Sequence, residues 1–70
     1  MMNYDLVHWY WYHTKSDAII IAYGSKHDLF TNHPKATVYP VLHEFMVYLP
    51  YDPVLAFELQ LTCKSMEFFE

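Results

Sequence analysis

The sequence predicts an α+β fold rich in strand: a small antiparallel sheet of three to four strands, with one short helix as an option within 37–49. Three observations carry this reading. Aromatic residues run consecutively through Trp9-Tyr10-Trp11-Tyr12, a β-branched run follows at Ile19-Ile20-Ile21, and apolar and other residues alternate from Val54 to Thr62. Aromatic and β-branched side chains favour a pleated strand, where they pack against neighbours on the same face. A helix would spread the same bulk around its whole circumference and leave no side for water.

Taken in order, the first element is Asn3 to His13. With period two it sets Tyr4, Leu6, His8, Tyr10 and Tyr12 on one side, and Asp5, Val7, Trp9, Trp11 and His13 on the other. Thr14-Lys15-Ser16-Asp17 is a short polar break, and Ala18 to Tyr23 returns as a buried strand that stops at Gly24. Two apolar runs so closely spaced predict an antiparallel hairpin over about 4–23. The stretch from Ser25 to Lys35 is polar, with His27, Asp28, Asn32, His33 and Pro34 as turn residues, and reads as a long loop pinned by Leu29 and Phe30.

The segment 36–49 supports two readings. Leu42, Phe45, Met46 and Leu49 sit at helical spacing, whereas Val41, His43, Phe45, Val47 and Leu49 alternate as in a strand. Pro50 to Pro53 makes a turn. Beyond it Leu55, Phe57, Leu59, Leu61 and Cys63 alternate with Val54, Ala56, Glu58, Gln60 and Thr62, which predicts a C-terminal strand over about 54–62. The competing reading is a helix with Asp52 as its N-cap and Pro53 in its first position. The tail from Lys64 to Glu70 breaks the alternation and reads as a helical turn or a frayed end.

Seventy residues make one domain, 1–70. A chain this short buries only roughly 60% of the surface its unfolded form exposes. It nevertheless carries fourteen aromatic rings (five Phe, two Trp, seven Tyr), each with about 150–250 Å² of surface. That is more ring area than one small core can hide, so some of it faces water or a partner. The formal charge is −4, from four Lys, no Arg and eight acids. Without arginine the bidentate phosphate and guanine contacts are missing, so direct nucleic-acid binding is not expected. One cysteine, Cys63, allows no internal disulfide and suits a reducing compartment. MMNYDLVH has neither the basic nor the apolar region of a signal peptide, and the longest strictly apolar run, Ala18 to Tyr23, is far short of a membrane helix. A cytoplasmic protein without a membrane role is the expectation.

Catalytic signatures are weak. Cys63 with a histidine and an acid is arithmetically available in most chains, and on a strand register it reads as an inert buried thiol. The single glycine, Gly24, rules out a glycine-rich phosphate loop. The five histidines match no structural zinc spacing, and His8 and His13 fall on opposite faces of a regular strand unless a bulge intervenes. No catalytic residue, metal or cofactor is assigned. The bland reading of Trp9 and Trp11 is core, yet Trp and Tyr are also the residues most enriched at interface hot spots. The candidate binding residues are therefore His8, Trp9, Tyr10, Trp11 and Tyr12, with Glu58 for the acidic side. The function class that follows is a non-enzymatic inhibitor or adaptor that binds another protein, or its own twin, through an aromatic and mildly acidic surface. Small phage inhibitors of host defence enzymes are one such class. The alternative is a histidine-based metal-binding or small catalytic protein, and a charge change from −4 to −4 + 5 = +1 on full histidine protonation would make association pH-dependent.

Overall fold

In a computed structural model the chain is an α+β fold with both helices on one face of a single sheet. The structure describes residues 3–41, 43–62 and 66–69. A 3₁₀ turn at Tyr4–Leu6 leads into β1 (Val7–His13), followed by β2 (Ala18–Tyr23), α1 (Lys26–Asn32), β3 (Tyr39–Val41), β4 (Glu44–Pro50), α2 (Pro53–Thr62) and β5 (Met66–Phe69). The strand order is β3-β4-β2-β1-β5. The first four of these strands pair antiparallel, and β5 joins the far edge parallel to β1.

The N-terminal hairpin is the one the aromatic and isoleucine runs predict. Its turn closes through Asp17, which has φ 50° and donates its N–H to the Thr14 carbonyl at 3.4 Å. Aspartate is one of the few residues that tolerate this left-handed conformation. Ile19, Ile21 and Tyr23 point to one face of β2, where they join Tyr10, Val47, Leu29 and Leu59 in the core.

Several local expectations are corrected. The helix considered within 37–49 is instead the β3–β4 hairpin: Phe45, Val47 and Leu49 alternate inward, and Pro40 sits on the short edge strand, where a missing N–H is tolerated. The loop expected over Ser25–Lys35 contains α1. The Ser25 hydroxyl caps it by accepting the Asp28 N–H at 3.1 Å, and the helix stops before Pro34. Of the two residues expected to pin this segment, Leu29 is buried and Phe30 is exposed.

The strand expected over 54–62 is the helix α2. Asp52 caps it through Oδ1, which accepts the Val54 N–H at 2.9 Å, and Pro53 opens it. The topology supplies the reason. β4 and β5 both run parallel to β1, and parallel strands need a crossover connection, for which a helix is usual. The tail is correspondingly a strand at Met66–Phe69, which completes the hydrogen bonding of β1's outer edge. The reading of Cys63 as a buried thiol lies outside the described residues.

Candidate functional site

Side chains alternate across a sheet, so the register sorts the strands into two faces. One face holds Tyr10, Tyr12, Ile19, Ile21, Tyr23, Phe45, Val47 and Leu49. Both helices, the 3₁₀ turn and the loop after α1 pack there: the 3₁₀ turn through Tyr4 and Leu6, α1 through Leu29, the following loop through Ala36 and Val38, and α2 through Leu55, Ala56 and Leu59. The opposite face holds Trp9, Trp11 and His13 from β1, Ala18, Ile20 and Ala22 from β2, Glu44, Met46 and Tyr48 from β4, and Tyr39 from β3. No described helix or loop covers it.

The consequence is an aromatic outer layer. Trp9, Tyr39 and Tyr48 are 41%, 46% and 48% exposed, and Tyr39 meets Tyr48 edge-on with ring centroids 5.1 Å apart. Beneath the flanking rings Ile20 and Ala22 are nevertheless buried. The large side chains of β1 and β4 therefore do for β2 on this side what the helices do on the other. Their outer surfaces stay in water.

A β-bulge sets one further member of this face. Val7 pairs with Tyr23 and Trp9 with Ala22, so His8 is the extra residue. In regular alternation His8 would share the face of Tyr10. Instead its ring lies over Gly24, in the row of Ala22, and its Nδ1 reaches Glu44 Oε1 at 3.3 Å. This reverses the expectation that His8 and His13 face opposite ways. They do not form a metal pair, because Trp9 and Trp11 stand between them on the strand and His13 Nδ1 accepts the Ser16 N–H at 3.2 Å.

Of the residues expected to bind a partner, the structure brings His8, Trp9 and Trp11 together on the uncovered face. It separates the others from them. Tyr10 is 3% exposed and belongs to the core. Tyr12 is on the same side as Tyr10, its ring tilted at 53° against Tyr51 with centroids 5.0 Å apart, and its hydroxyl donates to Asp17 Oδ1 at 3.0 Å. That hydrogen bond to the carboxylate raises the Tyr12 phenol above its usual range. With Trp11, Ile19, Tyr51, Ala56 and Gln60, the two tyrosines line a cavity of about 340 Å³ beneath α2. Glu58 stands on α2, where Oε2 accepts the Tyr4 hydroxyl at 2.7 Å. The core reading is thus corrected for Trp9, which is exposed, while Trp11 is half-buried: the tyrosine side of β1 is the core side, because both helices pack there.

Sequence reasoning missed Tyr39, Met46 and Tyr48. The signal was present in the alternation of Phe45 to Leu49, but only the pairing of β4 with β2 places Tyr48 in one row with Ile20 and Trp11. It also missed a polar junction on the core side. Asn32 Nδ2 donates to the Tyr23 hydroxyl at 3.1 Å and to the Asn3 carbonyl at 2.9 Å, and Tyr23 Oη lies 2.7 Å from His33 Nε2. Burial lowers the His33 pKa, because desolvation disfavours the charged ring.

A second apolar surface runs along α2. Val54, Phe57 and Leu61 form an outward stripe, between 61% and 69% exposed. Among the described residues no three of His, Cys, Asp and Glu are grouped to hold a metal ion, and no helix is long and apolar enough to cross a membrane. Compared with protein-family models, curated proteins and solved structures, the chain matches none.

Proposed function

We propose that this chain is a non-enzymatic protein-binding module, an inhibitor or adaptor, that docks its partner on the uncovered sheet face. The observation that carries the reading is the exposure of Trp9, Tyr39 and Tyr48 on a face that no described helix or loop covers. Exposed aromatic rings clustered on a rigid sheet are the composition of an interface centre. The face has few charged groups, and its one acid with a described side chain, Glu44, is engaged by His8. It is better suited to an apolar protein surface than to nucleic acid, for which the chain has no arginine. Small inhibitors and adaptors, phage inhibitors of host defence enzymes included, need no more machinery than such a surface.

The test uses a photo-crosslinking amino acid placed at Tyr48 on the uncovered face, at Phe57 on α2 and at Phe30 on α1, in cells that express the chain. Discrete protein adducts from position 48, lost when Trp9 and Trp11 are changed to Ala, are the expected result. Adducts from position 57 or 30 with none from 48 would move the docking surface to the helical side and refute the assignment.

A further inference from the structure

We infer that the occupant of the uncovered face is a second copy of this chain, stacked sheet on sheet across a two-fold axis. This rests on the docking reading above and names its partner.

Area argues first. The five strands hold 7, 6, 3, 7 and 4 residues, which at about 4.8 Å spacing and about 3.3 Å per residue make a face of roughly 430 Å² in plan. Relief of the rings raises the contact area above that, toward the ~600–800 Å² each partner contributes to a stable interface. The stripe on α2 is the other candidate contact. Ten residues at about 1.5 Å each, on a helix about 10 Å across, offer roughly 150 Å², too little for a stable dimer by itself.

Charge argues second. Two copies bring −4 each, so they approach most readily through a surface whose centre carries no acid. Asp5, Asp17, Asp28, Asp52 and Glu58 lie in the 3₁₀ turn, the hairpin turn or the helical side. Glu44 is on the face but at the end of β4 and bound to His8, and Glu67 is on the edge strand opposite Trp11. The middle of the face is Trp9, Trp11, Ile20, Ala22, Met46 and Tyr48, without a charge.

Shape argues third. Ala18 and Ala22, with the buried Ile20 between them, make β2 a lower strip between the ridge of Trp9 and Trp11 and that of Met46 and Tyr48. A two-fold axis in the contact plane, between β1 and β2, sets the tryptophan ridge of each copy against the low strip of the other. Such isologous contact is the usual arrangement of a homodimer, and aligned sheets stack about 10 Å apart.

Both tryptophans of the chain are on this face, so intrinsic tryptophan emission reports its covering directly. Sedimentation velocity on the full chain, from micromolar to near-millimolar concentration, should show the mass rising from 8.5 kDa to twice that. Tryptophan emission should shift to the blue and iodide quenching should fall over the same range. Tyr48→Glu should raise the dissociation constant at least about tenfold while its circular dichroism shows the wild-type fold, and Phe57→Glu should leave dimerisation intact. A mass that stays at one chain, a doubling without change in tryptophan emission, or a Tyr48→Glu protein that dimerises like the wild type would each overturn the inference. Crosslinking from position 48 separates the two levels. Adducts to a different protein with none to a second copy would sink self-association and leave the docking face standing.

Discussion

The imidazole of His8 occupies the space above Gly24: a Cβ at position 24 would stand 2.8 Å from His8 Cε1. The lack of a side chain there is what lets the bulged histidine cross the end of β2 and reach Glu44. Gly24 does not have a positive φ, so alanine fits its backbone and the conflict is with the ring alone. Gly24→Ala is therefore expected to push His8 outward at a cost below about 1 kcal/mol, the scale of an exposed ion pair. His8→Ala should then cost less in the Gly24→Ala protein than in the wild type. A double-mutant cycle from urea unfolding measures this coupling, and strict additivity would mean that the two residues do not meet.

The buried phenol of Tyr23 ties α1 to the N-terminal segment through Asn32 and Asn3. Tyr23→Phe keeps the ring in the core and removes the hydroxyl, which leaves Asn32 Nδ2 and His33 Nε2 each short of a partner. The expected loss is about 1–3 kcal/mol, read as a lower urea midpoint. A midpoint equal to wild type would show that water replaces the hydroxyl at no cost.

His33 supplies a pH dependence whose sign follows from burial. Its folded-state pKa is lowered relative to the ordinary value of 6.5. Its contribution to stability is thus fully present above that value and is lost as pH falls through the folded-state pKa. Unfolding midpoints should fall on acidification below about 6.5, and His33→Gln, which cannot charge, should flatten that slope. An unchanged slope in the variant would remove His33 from the linkage.

Leu59 and Leu61 separate helix from strand in solution. On a strand they would share a face and respond alike. On α2, Leu59 is fully buried and Leu61 is 69% exposed. Leu59→Ala is expected to cost about 2–5 kcal/mol, and Leu61→Ala to stay within about 0.5 kcal/mol. Similar losses for both would contradict the helix.

Local chemistry made the N-terminal hairpin legible from residues alone. Aromatic and β-branched runs around a polar break favour one backbone conformation wherever they are placed, and the excess of rings over available interior follows from counting them. The caps at Ser25 and Asp52 were just as local, but each competed with another readable pattern: a polar loop in one case, a period-two alternation in the other. Tertiary structure resolved that competition, because joining β4 to β5 in parallel demands a crossover that a strand at 54–62 cannot make. It alone determined which side of β1 is inside. Both faces of that strand are aromatic, so composition is silent, and the side on which α1 and α2 pack puts Tyr10 in the core and leaves Trp9 in water. The bulge at His8 belongs to the same class: one unpaired residue shifts the alternation, and only the pairing of β1 with β2 shows where it falls.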